Sequence, residues 1–322
     1  MADPTDPSAP VVKQAPIDKS ATLGLALAAI GAGLFATKGI FVKLALAEGL
    51  DSVTVLTWRM LIAVPVFATV GWLGLRERWQ GKGPQAGKPI PPRAVMLACL
   101  VGVLGYYLAS FLDFEGLSYI SAQLNRLILL TYPFFVLVFA AILFKRPMTP
   151  AVMGAALIAY LGIGLIFARD MVVEGENIVV GTLLVLGAAI AYALYQLFAK
   201  PLIDTLGARL FTSIAMAAAG VIVVIHFLLT HPLSALALSP YTFSLMVGIA
   251  MVATVLPAYA IAAAIGHIGP ERTAIFGNIS PLITIVLAVF ILGEPFTLFH
   301  ALGTALVICG ILLFTRLTRN RT

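Results

Sequence analysis

The 322-residue chain is 61% hydrophobic and only 11% charged, with a mean hydropathy of +1.05. A soluble domain carries about 25% charged residues, so a soluble enzyme or binding module is excluded and a helical integral membrane protein remains. The net charge of +6 resides largely in loops between apolar runs, where Lys and Arg orient a membrane protein, so a nucleic-acid surface is not indicated.

Residues 1–19 are polar, contain Pro4, Pro7, Pro10 and Pro16, and read as a disordered cytoplasmic tail. No cleavable signal is evident, because the first apolar run is too long for a signal core. Ten spans follow, at 20–47, 52–75, 94–117, 119–144, 149–168, 178–200, 208–230, 240–266, 270–292 and 297–316, with a short tail at 317–322. The runs reach about 20 residues, which suits membrane helices and not the shorter alternating strands of a barrel.

Span 1 carries Lys38 and Lys43, span 2 Arg59, span 3 Asp113 and Glu115, and span 4 Arg126. Each Lys, Arg or Asp at a helix centre costs about 2.5–3.5 kcal/mol on insertion scales, so partners are expected. Lys43, Arg59, Asp113, Glu115 and Arg126 fall at one level in the outer third. Lys38 falls a turn deeper, on another face from Lys43. Arg126 is expected to pair with Asp113 or Glu115. Three readings stand side by side: a structural or gating network, a seat for a substrate carboxylate, and a coupling-proton site at Asp113 or Glu115.

Polar and aromatic residues recur near mid-depth. Tyr106, Ser110 and Asp113 form one stripe of span 3. Tyr132 lies in span 4, Tyr192, Tyr195 and Gln196 in span 6, Thr254 in span 8 and Asn278 in span 9. The substrate-binding candidates are Tyr106, Ser110, Tyr132, Tyr192, Gln196, Thr254 and Asn278. The plainer reading of each Tyr is a packed ring, and of each Thr a bond to its own helix. Pro133, Pro257 and Pro281 each remove a helix hydrogen bond and are expected as hinges.

Orientation follows from counting. With the N-terminus in the cytoplasm, fifteen Lys and Arg lie inside and only Arg169 lies in an outside loop. Both termini are therefore expected in the cytoplasm of a bacterial-type inner membrane. Cys99 and Cys309 sit inside spans, and the four histidines are far apart in sequence, so no disulfide, metal site or cofactor is indicated.

The chain also contains a copy of itself. "LTYPFFVLVFAAILFKRPMT" (130–149) aligns without gaps on "NISPLITIVLAVFILGEPFT" (278–297). Pro133 falls on Pro281, Pro147 on Pro295 and Gly162 on Gly310, while "AAIGAGLF" (28–35) matches "AAIAYALY" (188–195). Five spans per copy, an odd number, make the second copy inverted, as in many secondary transporters with a midplane site. The two repeats are 20–168 and 178–316.

"GPERTAIFGNISPLITIVLAVFILGEPFTLFHALGTALVICGILL" (269–313) resembles the closing segment of the EamA-type repeat of the drug/metabolite transporter superfamily. "GLSYISAQLNRLILLTYPFFVLVFAAILF" (116–144) resembles its counterpart in the first repeat, and "TWRM" (57–60) also fits. The turn Gly293-Glu294-Pro295 is intact, whereas the first copy has Lys145-Arg146-Pro147. The resemblance implies an all-α, ten-helix carrier of two inverted repeats. It also implies a cavity between spans 1, 3, 4, 6, 8 and 9, and export of small organic solutes such as amino acids, aromatic ones included. The expected partners are a small-molecule substrate and the lipid bilayer, with the proton as a candidate coupling ion and a monomer as the working unit. An intramembrane enzyme is the alternative of another class, but no HExxH or GxSxG pattern is present. A receptor or scaffold is the third.

Overall fold

The computed structural model describes residues 19–82, 85–145, 149–277 and 279–319. Among the described residues fourteen α-helices run in chain order: α1 (Lys19–Ala36), α2 (Lys38–Ala47), α3 (Ser52–Trp79), α4 (Pro92–Gly102), α5 (Ala109–Leu117), α6 (Ala122–Leu129), α7 (Tyr132–Phe144), α8 (Pro150–Glu174), α9 (Asn177–Leu206), α10 (Ala208–Thr230), α11 (Pro240–Val247), α12 (Leu256–Gly277), α13 (Ser280–Leu292) and α14 (Leu298–Arg319). Consecutive pieces join into membrane-length rods. Among the described residues nine helical segments are long and apolar enough to cross a membrane, and the 13-residue α13 is a shorter apolar helix. The all-helical, multi-span expectation is borne out. Their outer faces expose runs such as Leu157, Leu161 and Leu183, each about 60% exposed, as lipid-facing helices require.

The expected ninth span is divided. Residues 267–269, expected as a loop, stay helical within α12, with His267 and Ile268 packed against Gly24 of α1. The break comes instead just before α13, whose second residue is Pro281. Pro133 likewise is the second residue of α7. Both prolines therefore begin helices, where their missing N–H costs nothing, rather than kinking a continuous one. Pro257 stands in the first turn of α12, directly after a π-helical segment, Gly248–Val255. A second π segment, Val103–Leu108, joins α4 to α5 in the corresponding span of the first repeat.

The inversion is written in the contacts. A Cβ on Gly162 would sit 2.5 Å from the Gly303 carbonyl oxygen and 2.9 Å from Val307 N. One on Gly310 would sit 2.7 Å from the Ala155 carbonyl oxygen and 2.7 Å from Ala159 N. Gly162 and Gly310 are matched positions, and so are Ala155 with Gly303 and Ala159 with Val307. The α8–α14 interface is thus the same patch used twice, about a pseudo-two-fold axis. α3 and α10 repeat the pattern, with Gly71 against Ser213 and Gly220 against Val64. So do the pairs Gly24 with Ile268 and Gly181 with Ile120.

Two ends are distinguished by their locks. At one, Arg78 is buried and donates to the carbonyls of Lys88, Pro89 and Leu206 at 3.0, 3.0 and 3.2 Å, tying α3, the long loop and α9 together. At the other, Asp51 caps α3 by accepting from Val53 N and Thr54 N at 2.8 and 3.0 Å. Glu294 also lies at that second end, which is named for it below.

Candidate functional site

A charged layer forms where α2, α3, α5, α6 and α13 converge below the Glu294 end. Lys38, the first residue of α2, places its ammonium 2.7 Å from Asp113 Oδ2. Asn125 Nδ2 donates to Asp113 Oδ1 at 2.9 Å. Arg59 Nη1 donates to Ser110 Oγ at 3.0 Å, and Arg126 Nη2 to Ser280 Oγ at 2.6 Å. Phe114 lies under both Lys38 and Arg59, at 5.8 and 5.6 Å from ring centroid to cation. Phe35 does the same for Lys38 and Arg126, at 5.7 and 5.0 Å. Aromatic faces soften the cost of desolvated cations without neutralising them. Three cations therefore surround one carboxylate, and the Nε atoms of Arg59 and Arg126 are buried with no protein acceptor.

This corrects the expected pairing. Arg126 does not bond to Asp113 or Glu115, because both Asp113 oxygens are occupied by Lys38 and by Asn125, its own neighbour on α6. Lys38 reaches the level of Asp113 because the helix breaks at Thr37, whose hydroxyl bonds back to the Leu34 carbonyl, and because a lysine stem extends along apolar walls. Glu115 points elsewhere and accepts from the Ser52 and Tyr119 hydroxyls. Lys43 lines a separate cavity. The single level of five charges resolves into three environments.

Next to the charged layer, towards mid-depth, lies a tyrosine cluster. Tyr192, at the midpoint of the 30-residue α9, meets Tyr132 edge-on at 4.9 Å and stacks on Tyr195 at 5.7 Å. The Tyr195 hydroxyl donates to the Tyr106 hydroxyl at 2.9 Å, and Gln196 Nε2 donates to the Tyr192 hydroxyl at 2.8 Å. Arg126 is close enough to Tyr132 and Tyr192, and Arg59 to Tyr106, for direct electrostatic interaction. Of the seven binding candidates, Tyr106, Ser110, Tyr132, Tyr192 and Gln196 belong to this layer and cluster. Thr254 does not contribute its hydroxyl, which donates to the Ile249 carbonyl at 2.8 Å within its own π segment. Asn278 lies outside the described residues, as do Arg146 and Pro147.

A second polar group at the Glu294 end escaped the sequence reading. The Glu294 carboxylate accepts from the backbone N–H groups of Ala122 and Gln123 at 2.6 and 3.2 Å, so a turn of the second repeat caps α6 of the first. Gln123 Nε2 returns a bond to the Pro295 carbonyl at 3.3 Å. Beside them Asp170 pairs with Arg169 at 2.8 Å and faces His300 Nε2 at 3.4 Å. Lys43, Tyr119, Gln123, Asp170, Glu294 and His300 line a cavity of about 240 Å³. Span 5 as read from the sequence ends at 168 and leaves Asp170 in a loop, but α8 continues to Glu174. The signal was available in the matched glycines: once Gly303 is set against Ile166, one further turn of α8 brings Asp170 to His300.

The EamA-like transporter family model matches this chain twice, over residues 22–168 and 179–316. The chain is a member of the EamA-like transporter family. The "Uncharacterized transporter YcbK" of Bacillus subtilis (strain 168) is 28% identical over 302 residues, covering 92% of each chain. An "Uncharacterized transporter" of Archaeoglobus fulgidus is 25% identical over 83% of this chain and 90% of its own. A solved crystal structure with 16% sequence identity shares the fold at a TM-score of 0.58, covering 93% of this chain and 98% of that one. Family and relatives point to a multi-pass membrane transporter. The buried charged layer and tyrosine cluster draw side chains from both repeats, Arg126 meeting Ser280 and Tyr132 meeting Tyr192.

Proposed function

We propose that this EamA-like chain is a secondary carrier that moves small carboxylate-bearing organic solutes, amino acids including aromatic ones foremost, out of the cell across the inner membrane. The carrying observation is the charge imbalance: Lys38, Arg59 and Arg126 surround Asp113 alone, directly beside a cluster of tyrosines. A buried guanidinium with an unmet N–H favours a carboxylate, which accepts two such bonds at once. Tyrosine faces and hydroxyls suit an aromatic body and an ammonium. The outward direction rests on the family resemblance, and the orientation, with both termini cytoplasmic and the Glu294 end outside, rests on the Lys and Arg distribution. One chain contains both repeats and is proposed to work as a monomer.

Counterflow in proteoliposomes tests this. Labelled phenylalanine, tyrosine and tryptophan should exchange against the same unlabelled solute, and their decarboxylated amines should not compete. Arg59→Gln should raise the KM for the acid by about tenfold, the equivalent of one charge-assisted hydrogen bond. Equal competition by acid and amine would overturn the carboxylate seat, and absence of counterflow across a panel of amino acids would overturn the solute class.

A further inference from the structure

The pair His300–Asp170 plays no part in holding the proposed solute, yet it is set deep between the fifth spans of the two repeats. His300 is 2% exposed and Asp170 1%. The hydrogen bonds fix the imidazole's protonation state. Thr297 N–H donates to His300 Nδ1 at 3.3 Å, and a backbone amide can only donate, so Nδ1 holds a lone pair. The ring proton is then on Nε2, facing Asp170 Oδ1. The Thr297 hydroxyl also lies 2.9 Å from Nδ1. Asp170 is shared with Arg169 through Oδ1, and its Oδ2 is buried without a partner. The charged and titratable groups around the ring are thus Arg169 and Asp170 from α8, Glu294 from the turn before α14, and Lys43 from α2 and Tyr119 from the turn before α6, which line the same cavity.

We propose that His300 Nδ1, backed by Asp170, is the coupling-proton site of this carrier, loaded from the outer side. This rests on the carrier reading above and moves the proton away from Asp113 and Glu115. The oxygens of Asp113 are taken by Lys38 and Asn125, and Glu115 accepts from Ser52. A proton from outer water binds the Nδ1 lone pair. The imidazole becomes an imidazolium, its positive charge facing the Asp170 carboxylate. Thr297 N–H then faces a donor instead of an acceptor and is released. Thr297 is two residues from Pro295 and three from Glu294, whose bonds to Gln123 and Ala122 hold α6 to the second repeat. α6 also carries Arg126 into the charged layer. Loading the proton therefore frees the turn that clamps the outer end, on the element that reaches the solute.

The test uses the full chain in proteoliposomes with a pH dye in the lumen. The amide of His300→Gln reproduces the neutral imidazole, a donor and an acceptor that cannot take the proton. Wild type should show solute-dependent proton flux. H300Q should keep counterflow at equal pH on both sides and lose at least about fivefold of the acceleration by a pH gradient. H300Q with undiminished proton flux would overturn the proposal. A second readout does not need transport: deuterium exchange at histidine C2 against pH, read by mass spectrometry on the purified protein. The His300 peptide should titrate, and Asp170→Asn should move its midpoint. A His300 curve unchanged by D170N would overturn the pairing. If His300 titrates as expected but no solute shows counterflow, the carrier reading fails and the coupling role falls with it; if counterflow is intact and H300Q keeps the full gradient acceleration, the coupling role alone fails.

Discussion

Lys38 and Asp113 form a buried ion pair across two helices, 2.7 Å apart, in a layer that holds two further cations. Such a pair resists the loss of either member. Lys38→Ala leaves Asp113 uncompensated by its nearest cation and should destabilise the protein by about 3–5 kcal/mol. Lys38→Met with Asp113→Leu removes both charges and should cost less than either single change. Thermal unfolding in detergent, followed by size-exclusion chromatography, reads the difference. If the double variant is the less stable, the pair contributes more than it costs to bury.

Lys145 and Gly293 end equivalent helices in the same left-handed conformation, at φ 52° and φ 68°. Glycine enters that region freely, and a side chain pays about 1–2 kcal/mol for it. Lys145→Gly should therefore raise stability by up to about 1 kcal/mol, reduced by the greater freedom glycine gives the unfolded chain. Gly293→Lys should lower it. A melting series of the two swaps checks the sign of each.

Glu294 supplies the cap that α6 lacks at its first and second N–H groups, the third being capped by Ser121. Glu294→Ala removes two charge-assisted bonds across the repeats and should cost about 1–2 kcal/mol. It should also expose the α6 start more often. A cysteine placed at Ser118, on the cavity wall, should then react faster with an impermeant maleimide added from the side that the Glu294 end faces.

Asp51 caps α3 from outside the membrane span. Burial pushes its carboxyl pKa up, but the bonds from Thr54 and Val53 and the nearby His231 together outweigh it and hold the value below the usual carboxylate range. A depressed folded value means stability that is full above the unfolded pKa of about 3.9 and is lost as pH falls through the lower folded one. Asp51→Asn keeps a cap and removes the titration. The melting temperature of the wild type should fall more steeply than that of D51N in this acid window, and parallel curves would exclude Asp51 as the source.

The sequence was most legible where chemistry is punctuated. Pro133 and Pro281 marked matched positions of the two repeats, although they read as hinges and not as the helix starts they are, and the paired glycines marked the repeat. The tyrosines came from mid-depth polarity alone. What it hid depended on partners distant in the chain. The break at Thr37 has no proline to announce it, and it moved Lys38 to Asp113. Arg78 read as one more loop cation, yet its guanidinium is spent on three carbonyls, one of them 128 residues away. Thr254 looked like a cavity hydroxyl because a π segment, whose carbonyl it satisfies, has no sequence signature. His300 and Asp170 met only through the register of two helices from opposite repeats.

The α8–α14 packing has a consequence for how this interface can change. Because Gly162 and Gly310 present the same patch to each other's helix, the contact is isologous within a single polypeptide, as in a two-fold dimer. Each half is shaped to receive its own kind in the inverted sense. A first repeat and a second repeat made as separate chains should therefore find each other in the bilayer, with the peptide between α8 and α9 serving as a tether and not as the source of the fit.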